Sequence, residues 1–472
     1  MYDLSSFLTE HPGGKKVISR FAGKDATPGF DPIHPKDIIQ KTMGKEPSAY
    51  IGDVDPATLN AADSATKPEQ HETNLVPVGE LPTLDRMLNY FDFEAVAKAK
   101  MGRSGWDYYS SGGDDEITLR ENHIAFQRLW LRPRVLRNVS EIDFSTSFLG
   151  TTSSLPLYIT ATALGKLAHP EGELAIIRAA AASGIPYMLP TLSSFSLDDM
   201  TGAMVQGQTC FIQLYVNSDR EVTKEYVQKA EAQGCTALFI TVDAPQLGRR
   251  EKDMRNKFAD QTTSVQSGGK MEKGQGTARM ISAFIDPSLC WKDLPWFRSI
   301  TKMKIVLKGV QTAEDALLAV EHGVDGMVLS NHGGRQLDTA RSGIEILVEV
   351  MAALRARGAQ DKVEVFVDGG IRRATDIYKA IALGAKAVGI GRPVLYSLAA
   401  YGQEGIERMI EMFKEELTMC MRLMGAPNIA DIEPGMIMTR NIQDHFVAQA
   451  PDSLQQATYI PLATTYQPKS KL

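Results

Sequence analysis

The sequence predicts a closed (β/α)8 barrel preceded by a small α+β unit, and three observations carry that expectation. Between about residues 85 and 445, short apolar runs alternate with helical stretches rich in Ala and Leu, the pattern of repeated βα units. Eight such runs can be counted, and each ends in polar or small residues, which a barrel gathers at one mouth. Residues 56–84, rich in Ala, Asp, Thr, Glu and Pro with no sustained period, separate this region from residues 1–55. A doubly wound sheet would call for a Gly-rich dinucleotide fingerprint after an early strand, and none is present.

Length and composition agree. A chain of 472 residues has room for one large barrel and a smaller unit. Its net charge of −6 argues against a nucleic-acid groove or an anionic membrane as the main partner. No apolar run reaches the length of a spanning helix. Cys210, Cys235, Cys290 and Cys420 have no metal-ligand spacing and read as reduced thiols. Met1-Tyr2-Asp3-Leu4 does not read as a signal or transit peptide. Ser470-Lys471-Leu472 reads as a peroxisomal address, after a polar tail over 446–472.

The eight runs in order locate a site. Leu155 to Ile159 runs into Thr160-Ala161-Thr162-Ala163, and Ile185 to Leu189 into Pro190-Thr191-Leu192. Cys210 to Ile212 runs into Gln213-Leu214-Tyr215, and Leu238 to Ile240 into Thr241-Val242-Asp243. Ile305 to Leu307 ends at Lys308-Gly309. Gly326 to Leu329 leads into Ser330-Asn331-His332-Gly333-Gly334-Arg335-Gln336-Leu337-Asp338. Val363 to Val367 runs into Asp368-Gly369-Gly370-Ile371-Arg372, and Ala387 to Ile390 ends at Gly391-Arg392.

The sixth end carries chemistry. His332 can move a proton near neutral pH, and Arg335 can hold a carboxylate through a planar fork of donors. A proton acceptor beside a carboxylate clamp suits chemistry on the carbon next to an acid group. Glycines after the seventh and eighth runs, with Arg372 and Arg392, place backbone N–H groups and guanidinium groups where barrels bind phosphate. The polar stretch from Lys252 to Ser282 reads either as a lid over this mouth or as an insertion.

In residues 1–55, His11 lies in His-Pro-Gly-Gly and His34 among Phe21, Phe30, Ile33 and Ile38. Two histidines in apolar surroundings could clamp a haem iron from both faces. With Tyr2-Asp3-Leu4, Ala22-Gly23-Lys24-Asp25-Ala26-Thr27 and Tyr50-Ile51-Gly52, the segment resembles cytochrome b5 modules, which would make it a haem b domain of α+β fold. The family begins with a strand before Tyr-Asp-Leu that is missing here, which would leave a small unit marginal unless haem stabilises it.

Residues 85–445 resemble the FMN-dependent 2-hydroxy acid dehydrogenase and oxidase family, above all through the Ser330–Asp338 motif. With the segment in front, the chain resembles the flavocytochrome type of L-lactate dehydrogenase. That resemblance implies roles. His332 would accept a proton from substrate, with Asp243 stabilising the imidazolium and raising its basicity. Arg335, Arg250 and Tyr108 would grip the carboxylate, and Tyr215 the hydroxyl. Lys308 would stabilise reduced FMN, Gln213 and Thr241 would bond its ring, and Ala161, Thr162 and Ala163 would line it. A contact made by a serine in many relatives would be lost or passed to Thr191, because Pro190 has no N–H and no hydroxyl. Leu192 and Ala163 favour a lactate-type pocket.

Three readings of function follow. In the first, L-lactate becomes pyruvate and electrons pass from FMN to haem and a cytochrome. In the second, a peroxisomal oxidase passes them to O2 beside a vestigial haem unit. In the third, the chain is a non-enzymatic haem carrier, which the presence of His332, Asp243 and Lys308 opposes. The family also implies a homotetramer and the mitochondrial intermembrane space as the alternative compartment. Whether the hydrogen on C2 leaves as proton or hydride stays open.

Overall fold

The computed structural model describes residues 2–8, 11, 15–23, 26–30, 38–39, 49–54, 80–255 and 284–445. His34, most of the 56–84 segment, residues 256–283 and the 446–472 tail lie outside the described residues. Contacts divide the chain into two units, Met1–Pro82 and Thr83–Leu472.

In the first unit, Tyr2 and Tyr50 form an antiparallel bridge, and Asp3 N–H donates to the Ala49 carbonyl at 2.8 Å. Two short helices follow, α1 (Lys15–Arg20) and α2 (Thr27–Phe30). His11 is half-buried, with its ring 5.9 Å from that of Phe7.

The second unit is the expected barrel. Its strands are β1 (Leu157–Ile159), β2 (Tyr187–Leu189), β3 (Cys210–Leu214), β4 (Cys235–Thr241), β5 (Lys304–Val310), β6 (Gly326–Leu329), β7 (Glu364–Asp368) and β8 (Ala387–Ile390). They are hydrogen-bonded in sequence order, all parallel, and β8 pairs with β1 to close the ring. Several strands run past the apolar stretches that announce them. Gln213, Thr241, Lys308 and Asp368 are themselves strand residues. Ladder pairing continues for as long as backbone groups find partners, whatever the polarity of the side chain. At the other end, β1 and β2 start two residues late, after Pro156 and Pro186, which lack the N–H a ladder needs.

Alternation along each strand sorts the side chains. Tyr158, Met188, Phe211, Phe239, Val306, Val328 and Phe366 fill the interior, while their neighbours join the larger core under the helices. The interior rings pack at offset and edge geometries, with Phe211 5.3 Å from Phe239 and Tyr158 5.9 Å from Phe366. A hairpin (Thr146–Phe148 with Thr151–Ser153) closes the N-terminal end of the barrel. Its Phe148 ring lies 5.8 Å from Phe366, and Leu149 N–H donates to the Glu364 carboxylate at the start of β7. One end is therefore sealed, and the other is left for a site.

Three helices precede β1: α3 (Tyr90–Lys100), α4 (Arg103–Ser110) and α5 (Ile117–Gln127). Asn89 starts α3 with a capping box to Asp92. Outer helices follow the strands: α6 (Gly172–Ser183), α7 (Leu197–Gly202), α8 (Arg220–Ala232), α9 (Glu251–Arg255), α10 (Leu294–Ile300), α11 (Ala313–Glu321), α12 (Gly343–Ala356), α13 (Ala374–Leu383) and α14 (Arg392–Met424). The polar stretch expected from Lys252 thus begins inside α9. Helix α14 kinks at Tyr401 and Gly402, where φ/ψ leaves the helical region. Among the described residues no helix is long and apolar enough to cross a membrane.

Helix α5 packs against the end of β7 so closely that residue 370 must lack a side chain. A Cβ there would fall 1.8 Å from the Asn122 carbonyl oxygen, and φ is +86°. Gly370→Ala should therefore destabilise the barrel by about 2 kcal/mol or more; a thermal melt within about a degree of wild type would contradict this packing.

Candidate functional site

The open mouth holds a cavity with about 1080 Å3 of empty space including its entrance. Each strand end supplies part of its wall. Ala161, Thr162 and Ala163 follow β1, Gln213 and Tyr215 end β3, Thr241 ends β4, and Lys308 lies within β5. His332, Gly333 and Arg335 arrive after β6, Asp368, Gly369, Gly370 and Arg372 at the end of β7, and Gly391 and Arg392 after β8. Tyr108 from α4 and Arg250 complete the set.

Two of the expected residues do not line this cavity. Just beyond β2, Pro190 and Leu192 line it, while the Thr191 side chain is turned to the backbone of β3. The Thr191 hydroxyl donates to the Gln213 carbonyl at 2.5 Å and accepts from Tyr215 N–H at 3.1 Å, and its own N–H donates to Gln213 Oε1. It holds Gln213 in place and offers the cavity no contact. Asp243 is the second, with a fully buried carboxylate behind His332.

His332 has φ of +60°, a left-handed conformation uncommon for a residue with a side chain. Its surroundings enforce it. Its N–H donates to Ser330 Oγ at 3.0 Å, and Gly334 N–H donates to Asn331 Oδ1 at 2.9 Å. Asn331 and Asn122 exchange reciprocal amide bonds of 2.9 and 2.7 Å, tying the loop to α5. The Asp338 carboxylate accepts from Asp115, Ile117 and Thr118 N–H at the start of the same helix.

The imidazole is oriented on both sides. Nδ1 lies 2.9 Å from Asp243 Oδ1, and Nε2 lies 3.1 Å from the Tyr215 hydroxyl. A carboxylate accepts only, so Nδ1 carries the hydrogen and the Nε2 lone pair faces Tyr215 and the cavity. Burial lowers the proton affinity of His332, the Asp243 carboxylate opposes that, and the Lys308 charge adds to it. Asp243 raises the basicity of His332, as the sequence led us to expect, yet the net direction is downward. Desolvation outweighs the carboxylate. For Asp243, burial raises the pKa, but His332 and Lys308 outweigh burial and keep the carboxyl ionised. For Lys308, burial opposes the charge, but Asp368 and Asp243 hold the ammonium above the usual lysine range. Its Nζ lies 3.5 Å from Asp368 Oδ2 and 3.4 Å from Ser330 Oγ.

The arginines divide their donors. Arg335 Nη1 donates to the Tyr108 carbonyl at 2.6 Å and to the Ser111 carbonyl at 3.2 Å. Its guanidinium carbon lies 5.0 Å from the centre of the Tyr108 ring. Arg392 donates to the carbonyls of Tyr109, Gly333 and Ser111, so all three of its nitrogens rest on backbone. Arg250 is buried beside Arg335, with Nε on the Arg335 carbonyl and Nη2 on Gln336 Oε1.

The donor set fits a flavin phosphate. Thr162 Oγ1 and Asp368 Oδ1 are buried at the wall without a partner, where the hydroxyls of a ribityl chain could satisfy them. Gln213 Nε2 and Thr241 Oγ1 form a polar pair, 2.9 Å apart, with Lys308 nearby on the neighbouring strand. Gly369, Gly370 and Gly391 supply backbone at the starts of α13 and α14. Sequence reading did not single out Tyr109, Thr160, Leu247 or Gly389, which also line the cavity. Position next to a named residue or at a strand end was their only signal.

A closed barrel with a buried carboxylate–imidazole pair, a buried ammonium and arginines at its mouth is a class of site suited to proton transfer beside an acid group. Comparison with known proteins makes this particular. A family model for FMN-dependent dehydrogenase matches residues 97–439, and one for cytochrome b5-like haem/steroid binding domain matches residues 1–55. L-lactate dehydrogenase (cytochrome) of Wickerhamomyces anomalus is 46% identical over 97% of this chain and 79% of its own length. A peroxisomal (S)-2-hydroxyacid oxidase of Arabidopsis thaliana is 43% identical over 76% of this chain and 98% of its own. A solved mutant of flavocytochrome B2 superposes with a TM-score of 0.72 at 43% identity, covering 83% of this chain and 96% of that one. The chain belongs to the FMN-dependent dehydrogenase family. Its barrel takes FMN, and its N-terminal domain is of the haem-binding cytochrome b5 type.

Because only the neutral imidazole can accept a proton and burial favours that form, kcat/KM should hold through neutral pH. It should then fall as the pH drops through an apparent value below the ordinary ~6.5 of histidine. An acid limb at or above pH 7 would contradict the assignment. Asp243→Asn should keep FMN bound, since Asp243 does not line the cavity, and should slow substrate reduction of the flavin about 10²- to 10⁴-fold in stopped flow.

Proposed function

We propose that the protein oxidises a short (S)-2-hydroxy acid, L-lactate to pyruvate foremost, with electrons leaving by way of FMN and haem to a cytochrome. The observation that carries this reading is the His332 imidazole, whose Nε2 faces the cavity while Asp243 holds Nδ1 from behind. Oxidation removes two electrons and two protons, converting the C2 hydroxyl to a carbonyl. FMN, when bound, takes up the electron pair.

The rest is the work of this chain's own side chains. Nε2 of His332 receives a proton, from C2 or from the hydroxyl according to the route, and Asp243 stabilises the imidazolium. Tyr215 bonds the substrate hydroxyl. Arg250, the free edge of Arg335, and Tyr108 hold the carboxylate. Lys308 places positive charge where negative charge develops. Gln213, Thr241 and the backbone of Ala161 to Ala163 would hold the FMN ring, and the glycines after β7 and β8, with Arg372 and Arg392, would hold its phosphate. His11 and His34 would ligate the haem iron. Leu192 and Ala163 line the cavity and favour a lactate-type pocket, a weak discriminator among short side chains.

The tripeptide Ser470-Lys471-Leu472 and the similarity to the plant oxidase favour a second reading, a peroxisomal enzyme that delivers electrons to O2. Absorption spectra with L-lactate, read beside a peroxide assay, separate the two. A haem band that lactate reduces, without peroxide, supports the relay. Flavin bleaching with stoichiometric peroxide and no haem band would replace the relay with the oxidase. In either case His332→Gln should retain flavin and lose its reduction by lactate; wild-type turnover in that variant would overturn the assigned base. A homotetramer is the proposed assembly, to be checked by light scattering.

A further inference from the structure

Gln336 belongs to the motif that follows β6, yet nothing in the reaction uses it. Its side chain is 6% exposed and makes four hydrogen bonds. Oε1 accepts from Gly248 N–H at 3.0 Å and from Arg250 Nη2 at 3.2 Å. Nε2 donates to the carbonyls of Asp243 and Gln246, each at 2.9 Å. An amide has two donor hydrogens and two acceptor lone pairs, so its capacity is filled.

All four partners lie in one segment, 243–250, which carries Asp243 at one end and Arg250 at the other. Gly248 packs against the same loop, since a Cβ there would sit 2.5 Å from the Arg335 carbonyl oxygen. Arg250 Nε also donates to that carbonyl. The segment is therefore pinned to residues 335 and 336, two neighbours of the catalytic imidazole in sequence.

We propose that Gln336 is the positioning residue for Arg250: it fixes the distance between the carboxylate-binding guanidinium and the His332–Asp243 pair. The amide does this as no other side chain of its length would. A glutamate keeps the acceptors, loses both donors, and turns a carboxylate toward two carbonyls and one guanidinium. Arg250 then pairs with residue 336 and withdraws from the substrate acid group. Methionine keeps the volume and removes every bond. The proposal rests on the reading of this cavity as a 2-hydroxy acid site, with Arg250 on the carboxylate.

The test uses the full-length, FMN-loaded protein and its Gln336→Glu and Gln336→Met variants. Oxalate, a non-reacting dicarboxylate, is titrated by calorimetry, and KM and kcat for L-lactate are measured per bound flavin. Both variants should bind oxalate about tenfold or more weakly, the scale of one charge-assisted hydrogen bond. KM should rise with kcat changed less and flavin content near wild type, while the melting temperature of Gln336→Glu falls, because its buried carboxylate faces two carbonyls. Oxalate affinity and KM equal to wild type in Gln336→Glu would overturn the proposal, as would a loss of kcat with KM unchanged. If Gln336→Met fails to fold, the glutamate variant alone decides. Weakened oxalate binding in a protein whose wild type oxidises no 2-hydroxy acid would reject the lactate reading and leave the assignment of Gln336 standing.

Discussion

A buried ammonium, paired with one carboxylate at 3.5 Å and held charged by the field of a second, is the interaction on which this barrel mouth depends. Lys308, Asp243 and Asp368 have side-chain exposures of 6%, 0% and 8%, and an isolated charge at such depth would be neutralised or expelled. Each is tolerated because the others are present. Register supplies the arrangement: Thr241 on β4 pairs with Lys308 on β5, so Asp243, two residues beyond, lies above the lysine. Gly309 makes room for it. A Cβ at 309 would meet the Asp243 side chain at 2.5 Å, and its φ of +116° excludes most other residues.

From that centre the fields diverge. His332 feels the Lys308 charge and its own burial as opposition to protonation, and the Asp243 charge as support. The outcome favours the neutral imidazole, which in the proposed reaction would become a cation supported by Asp243 once it has taken a proton. Arginines farther out do different work. Arg335 and Arg392 meet the carbonyls left unpaired at the C-terminal end of α4, where a helix presents negative partial charge. That contact fixes the helix bringing Tyr108 and Tyr109 to the wall. Charge around the cavity thus builds the site as well as serving the substrate.

The barrel was legible because its signal is local and repeated: eight short apolar runs with helical spacers need no knowledge of distant contacts. The boundaries were less so, because polarity changes before pairing ends. Lys308 was read as a residue following its strand and lies within it, and that placement points its ammonium inward beside Asp368. Thr191 shows a different limit. The sequence leaves a serine contact of many relatives either lost after Pro190 or passed to Thr191, whereas the Thr191 hydroxyl bonds the Gln213 carbonyl and does not line the cavity. Period two ends with β2 at Leu189, so no count along the sequence tells which of Pro190, Thr191 and Leu192 faces the cavity. The direction of the His332 pKa could not be found that way, since it depends on how completely the loop after β6 covers the ring.

The Ser330–Asp338 stretch shows why a motif can be longer than the chemistry it performs. Only His332 and Arg335 in it present charge or a proton acceptor to the cavity. Asn331 reaches Asn122 across 209 residues, Asp338 reaches Thr118 across 220, and Gln336 reaches Asp243 across 93. Each of these polar side chains is buried and must find partners, and they find them on two elements: α5, at Asn122 and in its first turn at Thr118, and the segment after β4. The loop is therefore docked at three points around a histidine with φ of +60°. A backbone conformation of that kind persists only where its surroundings over-determine it. Losing one docking point would move the imidazole relative to the guanidinium without touching either, so the chemistry depends on residues that never meet the substrate.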